Sequence, residues 1–202
     1  MPRDKTTSHK KVLAAAREEF AAYGFENASM RRIGKRCGMT AAGLYRHCRN
    51  KEDLFRELVT PAAERLDAWL EARASRSDAA PETGGAELWK GSEIDMMREI
   101  VYPHMEEYRL LLTGSGGTGY SGFLHDLTVK HQKKLAEFLP VLREKGHGVP
   151  DLDEKALHLL LSAYTTALFE PVIHGYTEEE AYRYLETVEA FFLPGWKQLL
   201  GI

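Results

Sequence analysis

The sequence has few cysteines, no long apolar run and no pattern of alternating strand residues, and each absence narrows the class of protein. Cys37 and Cys48 are the only cysteines among the 202 residues. Two thiols at this spacing fit neither a disulfide scaffold nor a zinc site, so we predict no metal and no other cofactor, and we expect a reducing, cytoplasmic location. No stretch approaches 18 consecutive apolar residues, which excludes a membrane-spanning helix. The first residues also lack the apolar segment of a secretory signal.

The charge is unevenly distributed along the chain, although the net charge is only −3. Residues 1–60 hold 13 Lys and Arg against 7 Asp and Glu, a net charge of +6, whereas residues 61–202 hold 14 against 23, a net charge of −9. A short basic segment on a larger acidic body indicates that only the N-terminal part meets a polyanion. Chance segregation of solvated charges is the alternative that this count leaves open.

Helical periodicity dominates the sequence. Apolar residues recur at spacings of three and four almost throughout, which predicts an all-α fold. Polar or glycine-rich segments at residues 75–92, 113–122 and 146–152 predict connections between helices. Gly24 predicts the end of the first helix, and Gly175 and Pro194 predict two later helix ends. Thr177 with Glu180 predicts a capping box at the start of the last helix.

The first sixty residues predict four helices separated by clear turn signals. Ser29 is placed to cap a short second helix, and Gly38 follows it where the chain must turn sharply. Thr40 opens a short third helix that is predicted to run from Ala41 to His47, and Asn50 caps the fourth. Two short helices joined by a glycine-containing turn form a helix-turn-helix, the motif that places its second helix in the major groove of DNA. Its predicted core consists of Phe20, Phe25, Ile33, Leu44, Leu54 and Phe55.

The third helix has the composition of a recognition helix. Leu44 is its one apolar anchor, and its other residues are small or form hydrogen bonds. Gly43 in the middle of a helix costs about 1 kcal/mol relative to Ala, which close approach to DNA would compensate, although tight packing on the first helix would explain it as well. Small residues and hydroxyls can reach base edges and thymine methyl groups, and cations reach phosphates. The predicted DNA-binding residues are Ser29, Arg31, Tyr45, His47 and Lys51 for phosphates, and Thr40, Ala41, Ala42 and Gly43 for close approach and base edges.

The stretch from Val12 to Phe55 resembles the N-terminal domain of TetR-family transcriptional regulators. The resemblance runs from about residue 10 to residue 58. It rests on the segments Phe20-Ala-Ala-Tyr-Gly-Phe, Ile33-Gly-Lys-Arg-Cys-Gly-Met and Leu44-Tyr-Arg-His-Cys-Arg-Asn-Lys-Glu-Asp-Leu-Phe. It implies an all-helical homodimer that binds a palindromic double-stranded DNA operator, most often as a repressor, and leaves it when a small-molecule effector binds.

The sequence after the helix-turn-helix predicts a second, larger helical domain, called the body below. We predict that the helix-turn-helix DNA-binding domain covers residues 1–50 and that a larger helical domain for ligand binding and dimerisation covers residues 51–202. Two amphipathic helices near the C-terminus can pair with the same two helices of a second chain in a four-helix bundle. Burial of both stripes in their own chain is the alternative. The candidate dimer residues are Leu157, Leu161, Leu168, Leu185, Val188 and Phe192.

Aromatic and methionine residues of the body suit an apolar or flat ligand, although at helical spacing such residues are also typical of an ordinary core. The candidate ligand-binding residues are Met97, Tyr102, Met105, Tyr108, Phe123, His125 and Tyr164. The run from Gly114 to Gly119 matches a dinucleotide-binding fingerprint in form, but no strand precedes it, so we interpret it as a connection between helices. A DNA-binding regulator is therefore favoured over an enzyme. An enzyme or carrier built in the helical body remains the alternative.

Overall fold

The computed structural model describes residues 5–79 and 92–201, and the chain divides into two compact units. The first unit comprises residues 1–65 and 104–121, and the second comprises residues 66–103 and 122–202. All regular elements of the described residues are helical. This confirms the predicted all-α class.

The first unit contains the N-terminal helices and one later helix. Its elements are α1 (Lys5–Asn27), α2 (Met30–Arg36), α3 (Ala41–Leu44), the first part of α4 (Lys51–Ala79) and α6 (Met105–Thr113), which is followed by the glycine-rich connection. Helix α4 begins in this unit and ends in the second.

The second unit contains the rest of α4 and the C-terminal helices. A short helix α5 (Ser92–Met96) continues into a π-helical turn (Met97–Val101) and a 3-10 turn (Tyr102–His104), at the end of which the chain enters the first unit. The long helices are α7 (Phe123–Glu144), α8 (Glu154–His174) and α9 (Glu178–Leu200), and α8 packs against both α7 and α9.

Most predicted helix boundaries are confirmed, because they depend on local chemistry. Gly24 (φ 68°) breaks α1 near its end, and the Asn50 side chain accepts the Asp53 N–H at 2.8 Å at the start of α4. Thr177 begins α9 with a reciprocal capping box, and Gly175 ends α8 in the left-handed conformation. The signals therefore act where the sequence places them.

Three predicted boundaries are wrong. Helix α3 ends at Leu44 and is followed by turns rather than running to His47. Helix α9 continues through Pro194 to Leu200, because a proline removes only one backbone hydrogen bond and the flanking turns remain packed. The connection predicted from residue 75 begins later, since α4 extends to Ala79, and residues 80–91 of that connection lie outside the described residues.

Aromatic packing forms the centre of the first unit. Phe20 and Phe55 are buried and meet edge to face, with ring centres 5.2 Å apart, and half-buried Phe25 lies 5.4 Å from Phe55. Ile33 and Leu44 are completely buried, so α2 and α3 are each held by one apolar anchor. The predicted core is confirmed except that Phe25 is only half-buried.

Helix α8 is strongly apolar, although it has no run of 18 consecutive apolar residues. It is long and apolar enough to span a membrane by length and composition, with a mean hydropathy of 1.3 in its best window, of which 44% is buried within the protein. Its contacts with α7 and α9 account for the apolar residues of its inner face.

The predicted domain boundary after residue 50 stays a prediction. The compact units are divided within α4, between Arg65 and Leu66, and the first unit also takes in residues 104–121.

Candidate nucleic-acid interface

The turn between α2 and α3 is tight and internally bonded. Gly38 adopts φ 67°, a backbone conformation that residues with a Cβ rarely adopt. The Met39 N–H donates to the Gly34 carbonyl at 2.8 Å. The Thr40 hydroxyl then accepts the Gly43 N–H at 3.1 Å, which places Thr40 as the cap of α3. The two helices are thus joined in a helix-turn-helix whose geometry follows from the sequence Cys-Gly-Met-Thr.

A buried carboxylate on α1 holds α2 in place. The side chain of Glu19 is completely buried and accepts the Ser29 N–H at 3.0 Å and the Arg32 Nε–H at 2.5 Å. The Arg36 Nε–H donates to its second oxygen at 3.4 Å, and Arg36 also pairs with Glu18 at 3.1 Å. Ser29 precedes the first residue of α2, and its backbone N–H is bound by Glu19. Its hydroxyl makes no capping bond, which differs from the predicted cap.

The partners of Glu19 keep it ionised. Burial disfavours the charged carboxylate, but the Ser29 N–H and the Arg32 and Arg36 guanidinium groups outweigh burial, so the pKa of Glu19 is lowered. Sequence reasoning missed this residue, because a glutamate in a charged segment of α1 is expected at the surface. The only signal was the pair of arginines four residues apart on α2, which can share one anion.

The other cations of this region face solvent. Arg31 and Lys35 are exposed and lie four residues apart on α2, which places them on one face of the helix. Arg46 and Arg49 are exposed on the turn after α3. None of the four has an ion-pair partner among residues 5–79 and 92–201. Helix α2 thus turns one pair of cations inward to Glu19 and leaves the other pair available to an external anion.

The exposed face of α3 carries the predicted base-contacting residues. Thr40 and Ala42 are exposed, and Gly43 is half-buried. Leu44 points into the core, and the Tyr45 side chain is 53% exposed. The backbone of Ala41 begins the helix, but its side chain lies outside the described residues. The structure therefore places Thr40 and Ala42 on one short exposed surface, and their role in base contact stays a prediction.

Two predicted phosphate contacts already have partners within the protein. The Lys51 Nζ donates to the carbonyl oxygens of Glu26 at 3.0 Å and Ala28 at 3.3 Å, and it lies 4.4 Å from the ring centre of Phe25. An ammonium group has three donors, so one remains for a phosphate. The half-buried His47 ring stacks on the ring of His9. The roles of both residues in DNA binding stay predictions.

Helix α6 and the connection after it brace this region within the first unit. The Phe25 N–H donates to the Gly114 carbonyl at 2.8 Å, and the hydroxyl groups of Thr60 and Tyr120 lie 2.5 Å apart. The Glu107 carboxylate pairs with Arg65 at 2.9 Å. The glycine-rich run from Gly114 to Gly119 is thus an anchored connection beside the helix-turn-helix, with no strand before it.

Five predicted ligand-binding residues lie in the second unit. Met97 is completely buried, Phe123 is half-buried and His125 is exposed. The Tyr102 hydroxyl donates to the Tyr176 carbonyl at 3.0 Å, and burial and the nearby Glu178 raise the pKa of Tyr102 to about 12.

Tyr164, the fifth of these residues, is surrounded by a carboxylate and two aromatic rings. Its buried hydroxyl donates to the Glu93 carboxylate, and burial followed by this carboxylate raises the pKa of Tyr164. Its ring lies 5.1 Å from that of Phe192 and 6.2 Å from that of Trp196. The Trp196 indole N–H is buried and has no hydrogen-bond partner within residues 5–79 and 92–201.

The other two predicted ligand-binding residues lie in the first unit. Met105 is half-buried, and Tyr108 is completely buried with its hydroxyl donating to the Ala62 carbonyl at 2.7 Å. That bond makes Tyr108 a core residue that joins α6 to α4. The ligand-binding role of the whole set stays a prediction.

The predicted dimer stripe faces its own chain. Leu157, Leu161, Leu168, Leu185 and Val188 are all buried, and Phe192 is half-buried. Side chains that fill the space between α8, α9 and their neighbours are unavailable to a second chain, so the placement favours the alternative of an internal core. The exposed apolar residues of the same helices are different: Leu159 is 68% exposed, and Phe191 is 77% exposed.

No cluster typical of a metal site occurs in the part of the chain that the structure describes. Within it, no group of three or more His, Cys, Asp or Glu side chains is arranged to hold an ion. Cys37 is half-buried and Cys48 is buried, and burial raises the pKa of the Cys48 thiol. The prediction that the protein uses no metal remains open.

Known sequences match the N-terminal segment and, in one relative, most of the chain. The profile of the family described as "Bacterial regulatory proteins, tetR family" matches residues 12–58. The HTH-type transcriptional repressor AcnR of Corynebacterium glutamicum is 24% identical over 91% of this chain and 92% of its own length. The HTH-type transcriptional repressor Rv1474c of Mycobacterium tuberculosis is 36% identical, but over only 29% of this chain and 32% of its own length.

Solved structures share the fold. NalD, the secondary repressor of the MexAB-OprM multidrug efflux pump in Pseudomonas aeruginosa, superimposes with a TM-score of 0.53 at 18% identity, covering 92% of this chain and 95% of NalD. A TetR-family regulator from Mesorhizobium loti gives a TM-score of 0.51 at 18% identity over the same shares. The fold and the site define a helix-turn-helix DNA-binding protein with an all-helical body. The family profile at residues 12–58, the similarity to AcnR along most of the chain and the shared fold together support a TetR-family transcriptional regulator.

Proposed function

We propose that this protein is a repressor that binds a palindromic DNA operator as a homodimer and leaves it when a small molecule binds the helical body. The observation that carries the proposal is the division of cations on α2. Arg32 and Arg36 bind the buried Glu19, whereas Arg31 and Lys35 stay exposed beside α3. Helix α2 is held to α1 through Glu19, and its exposed cations can bind DNA phosphates. Such phosphate contacts would position α3 against a duplex.

The number of exposed cations predicts how binding depends on salt. Beside α3 in each DNA-binding head (α1 to the first part of α4), Arg31, Lys35, Arg46 and Arg49 are four exposed cations without an ion-pair partner among the described residues. Two heads that each neutralise about four phosphates give a slope of about −7 in a plot of log affinity against log salt. Affinity should therefore fall by about 10⁴ between 50 and 200 mM salt.

The test begins with DNA selected by the purified protein from a random duplex pool, and fluorescence anisotropy then measures its affinity at several salt concentrations. Arg31→Gln should weaken binding to all sequences and reduce the slope by about 2, since each dimer has two copies. Lys133→Gln, on the exposed surface of α7, is the matched control and should change neither. A pool without enrichment, together with no binding at 50 mM salt, would refute the proposal.

Specificity should depend on α3 in a different way. Thr40 and Ala42 are exposed at its start. Changes at these residues should alter which sequence is selected, whereas Tyr45→Ala should weaken binding to every sequence. Repeating the selection with each variant separates the two outcomes.

Release by an effector is supported by the course of the helices. Helix α4 and the helical run from Ser92 to Thr113 each begin in one unit and end in the other. A ligand that favours another arrangement of the second unit therefore has a covalent helical route to the unit that holds α3, and it can shift binding only by its differential affinity for the two arrangements. Addition of metabolite extract to the bound complex should lower the anisotropy, and fractionation identifies the effector.

The homodimer is assigned to the exposed face of α8 and α9. No Asp, Glu, Lys or Arg occurs between Ala156 and Phe169, so the outer face of α8 is also apolar or neutral. Exposed apolar residues at helical spacing on two helices that pack together are typical of a subunit interface. Its residues are Ala156, Leu159, Leu160 and Ala163 on α8, and Thr187, Ala190, Phe191 and Pro194 on α9.

Sedimentation tests this assignment. The 22.8 kDa chain should sediment at twice that mass at micromolar concentration. Phe191→Glu should give the monomer while leaving the circular dichroism spectrum unchanged, because the side chain is exposed within its own chain. Val129→Glu, a matched change at an exposed apolar residue of α7, should leave the dimer intact. A wild-type monomer, or a dimer that tolerates Phe191→Glu, would contradict the assignment.

A further inference from the structure

Two tyrosine–glutamate pairs of the second unit differ in how their negative charge is neutralised. In the exposed pair, the Tyr182 hydroxyl donates to the Glu178 carboxylate. The Arg98 guanidinium lies 5.1 Å from the centre of the Tyr182 ring, so a cation of the chain completes this pair. In the more buried pair, the Tyr164 hydroxyl donates to the Glu93 carboxylate.

The buried pair has no such cation in the described part of the chain. Within residues 5–79 and 92–201, half-buried Glu93 has no ion-pair partner, and no arginine or lysine lies over the Tyr164 ring. Burial, the Glu93 carboxylate and then Glu189 raise the pKa of Tyr164, so its hydroxyl stays neutral and offsets neither carboxylate. Carboxylates inside proteins are normally paired with a cation, and this one is paired only with a neutral donor.

The surroundings of the buried pair have two further features of a binding site. The Tyr164 ring lies 5.1 Å from the ring of half-buried Phe192 and 6.2 Å from that of Trp196. Trp196 is only 7% exposed, and its indole N–H has no acceptor among the described residues. A buried donor without an acceptor is unfavourable, and a molecule from outside the chain would supply the acceptor. Glu93 also lies shortly before the π-helical turn Met97–Val101, a rare form that is frequent at functional sites.

We infer that Glu93, Tyr164 and Trp196 bind a small organic ammonium ion that also carries an oxygen atom close to its nitrogen. The ammonium group gives Glu93 the positive charge that Arg98 gives to the exposed pair, and aromatic rings attract such a cation. The oxygen accepts the Trp196 N–H. Because Glu93 and Phe192 are half-buried, the cluster extends to the protein surface. The inference rests on the proposed function only where it names the chemical class of the effector, because the binding itself requires no DNA.

Isothermal titration calorimetry of the full chain without DNA tests the site with three probes of nearly equal size. Phenoxyethylammonium carries the cation, the oxygen and a ring that can pack on the aromatic cluster. Phenylpropylammonium has a methylene group in place of the oxygen, and phenoxyethanol has a neutral hydroxyl in place of the ammonium group. Phenoxyethylammonium should bind with a dissociation constant on the order of 0.1–1 mM, as expected for a ligand of this size. Phenoxyethanol should bind at least about tenfold more weakly.

Matched variants separate the contribution of each group. Glu93→Gln keeps the size of the side chain and removes its charge, so it should weaken binding of phenoxyethylammonium by about tenfold or more. Trp196→Phe keeps a ring without the N–H and should weaken binding of phenoxyethylammonium while leaving phenylpropylammonium unchanged. Glu178→Gln is the control, since it removes the carboxylate of the pair that Arg98 already completes, and it should change neither affinity. Circular dichroism verifies that each variant is folded.

Three results would each overturn the inference: no heat of binding with phenoxyethylammonium up to about 20 mM, equal affinity for phenoxyethanol, or unchanged affinity in folded Glu93→Gln. The comparison of probes on the wild-type chain decides the question even where Trp196→Phe does not fold.

Operator release is a separate measurement. In the anisotropy assay, saturating phenoxyethylammonium should lower the operator affinity of wild type and leave that of Glu93→Gln unchanged. A chain that binds the probe without releasing DNA would refute the assigned effector class but retain the site. A chain that binds no operator under any condition would refute the proposed function, while calorimetry would still decide whether the ammonium site exists.

Discussion

Replacement of Glu19 by Gln tests whether a buried charge holds the DNA-binding head together. Gln keeps the size of the side chain and an acceptor for the Ser29 N–H, but it removes the charge that faces Arg32 and Arg36. Hydrogen bonds to charged groups contribute about 1.5–3 kcal/mol each. The two arginine side chains are 45% and 38% exposed, so water replaces much of what they lose. We therefore expect the free energy of unfolding to fall by about 2 kcal/mol at pH 7.

This effect should disappear in acid. Because the pKa of Glu19 is lowered in the folded protein, the unfolded chain takes up its proton at a higher pH than the folded protein. The stabilisation is complete above the unfolded value of about 4.3 and is lost as pH falls through the folded value. The difference between wild type and Glu19→Gln should therefore be constant from pH 7 to about pH 5 and shrink below about pH 4.

Urea denaturation at several pH values measures both quantities, and thermal unfolding should show a midpoint about 4–8 °C lower for the variant at pH 7. Glu18→Gln is the matched control on the same helix, since its side chain is 66% exposed and, within the described part of the chain, pairs with Arg36 alone. It should change the free energy of unfolding by less than about 0.5 kcal/mol. Equal stability of wild type and Glu19→Gln at pH 7, or a difference that grows in acid, would refute the argument.

Three further changes test contacts in the two units by urea denaturation at pH 7. Thr177→Ala removes the capping box of α9 and should cost about 1 kcal/mol, and an unchanged midpoint would mean that this helix end does not limit stability. Tyr164→Phe leaves the Glu93 carboxylate without its buried donor and should cost about 1–2 kcal/mol, whereas a more stable variant would show that the pair is unfavourable. Tyr120→Phe removes the bond to Thr60 and should cost about 1 kcal/mol, and it should also weaken operator binding if the connection braces the head.

Much of the head could be predicted from the sequence because its signals are local. Gly38 and Thr40 specify the turn and the next cap through their own backbone and side-chain chemistry, and Asn50 does the same for α4. The apolar anchors Ile33 and Leu44 were evident because each short helix has one obligatory apolar position. The position of the exposed surface followed from these constraints.

The parts of the site that could not be predicted depend on residues distant in the sequence. Glu19 can be buried because Arg32 and Arg36 reach it from another helix. The spacing of apolar residues along α1 does not reveal a partner on a different helix. His9 meets His47 across 38 positions of the chain for the same reason. The glycine-rich run is a simple connection by composition, yet it lies against the end of α1 through the bond from Phe25 to Gly114.

The sequence alone determined the helical class, the turn and caps of the helix-turn-helix and the cationic character of the first sixty residues, because each depends on a residue and its immediate neighbours. Only the tertiary structure decided which cations stay free and which face of each C-terminal helix is exposed. Helices α8 and α9 each carry apolar residues on more than one face, so the face that is buried depends on which helices pack beside them. Leu161 and Leu185 became core residues and Leu159 and Phe191 became surface residues for that reason.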